Sequence, residues 1–86
     1  MTLAFEWDPD KAAANLAKHR VSFQEAVTGF ADPHGVLVDD PPDTHGETRF
    51  ALLGYSSLGR VLVFMFTERG NRIRLISARK ATLRER

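Results

Sequence analysis

The sequence predicts an α+β fold, a twisted antiparallel sheet with two N-terminal helices packed on one face and a short C-terminal helix stub. Three observations predict it. Two capped stretches with helical periodicity fall within residues 8–32, three strand-length apolar runs follow between residues 50 and 77, and the separators between those runs have hairpin chemistry.

The elements follow in order. Leu3, Phe5 and Trp7 alternate with Ala4 and Glu6, the period of a half-buried strand. Asp8 is an N-cap and Pro9 suits the first helical position, where its missing N–H is not needed. Ala12, Ala13, Leu16 and Ala17 then form a narrow apolar stripe with Lys11, Asn15 and Lys18 off it, so this face is expected to pack closely on a sheet. Ser22 to Glu25 is a capping box that opens a second helix, with Val21 as its hydrophobic staple. Phe23, Ala26, Val27 and Phe30 share one face of it, and Asp32-Pro33 ends it. Each large side chain buried there is worth about 1.5 to 3 kcal/mol, so this helix is expected to anchor the core. Gly35 to Val38 reads as a short strand and residues 39–47, DDPPDTHGE, as an acidic loop. Phe50 to Tyr55, Val61 to Thr67 and Arg72 to Ser77 are the three further strands, joined by turns rich in Ser, Gly and Asn. The middle one, VLVFMF, is apolar on both faces and belongs in the centre of the sheet. A last capping box, Thr82 to Glu85, begins the helix stub.

Bulk composition narrows the function. Residues 1–86 make one domain of 43% hydrophobic and 27% charged residues, globular rather than disordered. The absence of cysteine removes disulfides, thiolate metal sites and thiol nucleophiles. No basic start followed by an apolar run and no long apolar stretch is present, which fits a cytoplasmic protein with no membrane partner.

Charge is the most polarised property. Residues 60–86 hold eight Lys or Arg (Arg60, Arg69, Arg72, Arg74, Arg79, Lys80, Arg84, Arg86) against Glu68 and Glu85, a net of +6, whereas residues 1–59 carry a net of −5. A cationic end of this kind faces phosphate or an acidic partner. On the strand RIRLIS, Arg72 and Arg74 alternate with Ile73 and Leu75 and so point away from the core. Their spacing, about 7 Å, is near that of successive phosphates along one nucleic-acid strand. The competing reading is a solvated edge strand whose charges prevent aggregation.

Other chemistry is sparse. His19, His34 and His45 have no helical metal-ligand spacing, and no metal or cofactor is called for. Ser22 and Ser77 lack a His-Asp pattern that would make either a nucleophile. Metal-free RNA cleavage needs a base for the 2′-hydroxyl, charge stabilisation of the phosphorane and an acid for the leaving oxygen. Arginine serves only the second need, because it keeps its proton. Glu68, His19, His45 and Lys80 are the candidate proton carriers.

Two segments, FEWDPDKAAANLAKHRVSFQEA at residues 5–26 and TERGNRIRLISARKATLRER at residues 67–86, together resemble the BrnT family of bacterial type II toxins. Phe5, Trp7, Asp8, Lys11, Asn15, Lys18, His19, Val21, Ser22 and Phe23 match the first block, and Arg72, Ile73, Ile76, Ser77, Arg79, Thr82 and Glu85 the second. The resemblance implies a RelE-like fold and a metal-independent endoribonuclease that inhibits translation. It also implies a BrnA antitoxin, whose ribbon-helix-helix dimer is the route to operator DNA. A core this small favours assembly, as a homodimer or a 2:2 complex with the antitoxin. Carried onto this sequence, the catalytic set is Arg79 as charge stabiliser with Lys80, Arg74 and Glu68, and the RNA phosphate-binding set is Arg69, Arg72, Arg49 and Arg84. The same basic face also suits a noncatalytic module binding RNA or the antitoxin. Where family members commonly carry glycine after the Lys-His pair this chain has Arg20, and a left-handed arginine there costs about 1 kcal/mol.

Overall fold

The computed structural model describes residues 4–39 and 49–86. Its elements are β1 (Ala4–Glu6), α1 (Pro9–His19), α2 (Phe23–Thr28) continued by a 3₁₀ turn (Gly29–Ala31), β2 (Val36–Asp39), β3 (Arg49–Tyr55), β4 (Val61–Arg69) and β5 (Arg72–Lys80). The five strands form one sheet in the order β1-β5-β4-β3-β2, so the apolar strand β4 is central as expected. Leu3 and residues 40–48, which include all of the acidic loop after Asp39, lie outside the described residues.

The sheet is mixed rather than purely antiparallel. β1 runs parallel to β5, with Phe5 opposite Ile73 and Glu6 opposite Arg74. The helical crossover between β1 and the rest of the sheet is what permits a parallel pair, because a tight hairpin cannot make one. The other three pairings are antiparallel. At the β4–β5 hairpin, Gly70 takes φ 61° between the paired Arg69 and Arg72, the first central position of a type II′ turn.

Both helices cover one face. Val21, Phe23 and Ala26 pack with Leu62, Phe64, Phe66, Leu75 and Ala78 into a single buried cluster, and Trp7, Val27, Phe30 and Phe50 close its rim. Phe30 is its aromatic hub, with ring centroids 5.0 Å from Phe5, 4.9 Å from Phe64 and 5.0 Å from Phe66. Gly29 lets the chain approach the sheet here, since a Cβ would stand 2.6 Å from the Phe64 ring.

Helix α1 corrects the sequence reading. Its expected stripe is largely exposed, with Leu16 at 49%, and its buried position is Asn15. The Asn15 amide donates to the Val21 and Ala78 carbonyls at 2.9 Å each and accepts from Ala78 N–H at 3.1 Å. One polar side chain thus joins α1, the helix–helix corner and β5. Arg20 adopts the left-handed cap, φ 60° and ψ 29°, with its N–H bonded to Leu16 O. Its own carbonyl accepts from Arg60 Nη2 at 3.1 Å.

The Ser22 cap also differs in part. Ser22 Oγ accepts from Glu25 N–H, but the Glu25 carboxylate turns away from the cap to Arg60 and to Ser56 Oγ. The expected C-terminal helix stub is a single turn, held by bonds from Glu85 and Arg86 N–H to Thr82 O. A single turn closes too few internal bonds to offset the cost of helix nucleation.

Candidate nucleic-acid interface

No described helix covers the second face of the sheet, and register decides which cations reach it. Arg74 lies opposite both Glu6 on β1 and Thr67 on β4, and Arg72 opposite Arg69. Arg49 lies opposite Thr67 from the other side. Near the middle of β5 the ladder slips, so that Met65 faces Ser77 while Phe66 faces Leu75, and Ile76 is the extra residue of a bulge. The bulge reverses the alternation. Leu75 and Ala78 both stay in the core, and Arg79, opposite Val63, comes onto the same face as Arg72 and Arg74.

Lys80 goes the other way. Its partner in β4 is the fully buried Leu62, and its charge is felt by Glu25 on the helix side. Glu68 pairs with Ile73, also on the helix side, while Arg69 marks the hairpin tip and Arg84 is exposed in the last turn. The structure thus brings Arg49, Arg69, Arg72, Arg74 and Arg79 to one face, with Arg69 at its hairpin end, turns Lys80 and Glu68 to the helix side and leaves Arg84 exposed in the last turn. His19 closes α1, and the His34 backbone N–H donates to Asp32 Oδ1. His45 falls outside the described residues. Among the described residues no cluster of three metal-ligating side chains forms.

Carboxylates meet the arginine row directly. Glu6 Oε2 is 2.8 Å from Arg74 Nη1 and its Oε1 is 3.5 Å from Arg72 Nη1. The Arg74 hydrogen bond, with help from Arg72, holds Glu6 below the ordinary carboxylate range. Arg79 donates to both oxygens of Glu85, at 2.7 and 2.8 Å, and Thr82 N–H donates to Glu85 as well. The Arg79 bond first, then the Thr82 amide, pull Glu85 down to about 2. Both carboxylates stay ionised at neutral pH and take up donors of the arginine row.

A second charged centre underlies the β3–β4 hairpin. Arg60 clasps the buried Glu25 carboxylate with Nε and Nη2, and Ser56 Oγ donates to it at 2.7 Å. The Arg60 bond is the main reason Glu25 ionises below its ordinary value.

A profile of the family described as "Ribonuclease toxin, BrnT, of type II toxin-antitoxin system" matches residues 7–85. The chain belongs to the BrnT family. As a BrnT-family member it is a ribonuclease toxin of a type II toxin-antitoxin system, which implies an RNA target and an antitoxin partner. Among solved structures, the chain is similar to the Brucella abortus ribonuclease toxin BrnT. The TM-score is 0.71 at 21% identity, covering 94% of this chain and 99% of that one. At that identity the likeness is one of fold. No curated protein sequence matches the chain.

Within this BrnT-family face, sequence reasoning missed Glu6 and Glu85 as partners of the arginine row. Alternation in β1 already set Glu6 opposite in orientation to Phe5, which was the available signal. That β1 would lie beside β5 was not in the sequence.

Proposed function

We propose that this BrnT-family chain is an endoribonuclease that cuts RNA without a metal ion and so halts translation, and that a BrnA-like antitoxin neutralises it. The observation that carries the reading is the row of Arg72, Arg74 and Arg79 on the helix-free face of β5. Three guanidiniums along one strand suit a phosphodiester backbone and the extra charge of a phosphorane. Glu6, ionised and bonded to two of them, is the carboxylate placed to accept a 2′-hydroxyl proton once a phosphate engages its arginines.

Purified protein is expected to shorten total RNA in EDTA. Arg74→Ala is expected to slow cutting by about a hundredfold, on the scale of one lost charge stabiliser, with an unchanged circular dichroism spectrum. Intact RNA after incubation with folded, full-length protein contradicts the catalytic reading. Induction in cells is expected to arrest growth, with rescue by the antitoxin gene.

One observation favours a noncatalytic alternative. Arg72, Arg74 and Arg79 are each paired with a carboxylate, which lowers the net charge available to catalysis. That alternative gives salt-sensitive binding with no change in RNA length.

A further inference from the structure

Two hollows meet at the end of the sheet where β5 stops and β4 starts, and they share Tyr55, Val61 and Arg86. One is cationic and mostly polar, with Arg60 and Lys80 in its wall. The other is mostly apolar, lined by Val36, Leu53 and Gly54, with Asp32 and His34 as polar members of its wall. We propose that this double hollow binds one nucleotide of a single-stranded RNA, its phosphate against Lys80, Arg86 and Arg60 and its base against the Tyr55 ring over the apolar recess. The proposal rests on the reading of the chain as an RNA-cutting toxin and assigns that substrate a second point of contact.

Several observations fit a nucleotide rather than a bare anion. Glu25 cancels the charge of Arg60 but fixes its position, so Lys80 and Arg86 supply the net positive charge. Among the described residues neither of these two forms an ion pair. Tyr55 is 59% exposed although it belongs to a strand, and its backbone N–H is pinned by Asp32 Oδ2 at 2.8 Å. An exposed aromatic on a fixed backbone next to cations is the arrangement that stacks an unpaired base. The hollow also continues the arginine row. Lys80 reaches it from the helix side, whereas Arg79 pairs with Val63 and Tyr55 with Val61, so by alternation along β4 Tyr55 and Val61 lie on the face of the row and carry it to the recess. From Arg72 to Lys80 the strand extends about 26 Å, room for roughly four nucleotides.

The test uses a fluorescent six-nucleotide RNA, 2′-O-methylated throughout so that it cannot be cut, and anisotropy titrations with the full chain. Tyr55→Ala is expected to weaken binding about tenfold, within the range for one stacked base, and Tyr55→Phe to restore it. Lys80→Ala is expected to weaken binding and to reduce the salt slope by about one. An oligonucleotide made abasic at the stacked position is expected to bind Tyr55→Ala and the parent equally. Equal binding of the intact oligonucleotide by parent, Tyr55→Ala and Lys80→Ala, while Arg74→Ala binds weakly, overturns this proposal and leaves the RNA face standing. Failure of the folded parent to bind at all overturns both. Loss of antitoxin binding in Tyr55→Ala with RNA binding unchanged assigns the hollow to the antitoxin and also overturns it.

Discussion

Asn15 shows how much one buried polar side chain can hold. It satisfies both backbone groups of Ala78 on β5 and the carbonyl of Val21 at the helix corner. Asn15→Ala leaves those three groups buried without partners, at a cost of about 2 to 3 kcal/mol. For a domain of this size that lowers Tm by roughly 10 to 15 °C, measurable by thermal melting. A change under 3 °C contradicts the role. Asparagine at this position was visible in the sequence but lay off the apparent stripe. Helical alanines look apolar whether or not anything covers them, whereas an amide declares its burial only when its partners are placed. Arg20 is a related case, since its left-handed φ became tolerable where its carbonyl meets Arg60.

At the scale of elements, the bulge in β5 is decisive. Strict alternation from Arg72 would have put Lys80 on the helix-free face and turned Arg79 toward the core; one extra residue exchanges them. The last turn then folds onto Arg79 through Glu85. This pair is half exposed, worth under about 1 kcal/mol. Glu85→Gln is therefore expected to leave Tm within a few degrees while strengthening RNA binding several-fold, because Arg79 regains its net charge. Unchanged or weaker binding assigns Glu85 a holding role only. Since Glu85 is pulled down to about 2 from an ordinary value of 4.5, the stability the clamp contributes is complete above pH 4.5 and is lost as pH falls toward 2.

Across the whole molecule, carboxylates set the acid limit of stability. Glu6, Glu25, Asp32 and Glu85 all ionise below their ordinary values of 3.8 to 4.5. Depressed carboxylates stabilise the fold above those values and cease to do so as pH falls through the folded-state values, so Tm is expected to drop steeply below about pH 4.5. Glu25→Gln is expected to cost about 2 kcal/mol at pH 7 by leaving Arg60 uncompensated, and to flatten the decline between pH 6 and 3. Melting curves at several pH values check both. An equally steep decline in the variant removes Glu25 from the account. The polarity of the chain, net −5 before residue 60 and +6 after, is partly cancelled inside the fold by Glu6 on Arg72 and Arg74 and by Glu25 on Arg60.

Local signals were enough for much of this protein. The Asp8 and Ser22 caps, the face of Phe23, Ala26, Val27 and Phe30, the hairpin at Gly70 and the central apolar strand are written within a few residues of each other in the chain. The outward direction of Arg72 and Arg74 was equally local, because side chains alternate along a strand. Tertiary structure decided the parallel pairing of β1 with β5, the bulge at Ile76 and the separation of Arg79 from Lys80. It also decided which acids meet which arginines. Those outcomes depend on how strands far apart in sequence share a ladder, and a register exists only between two strands.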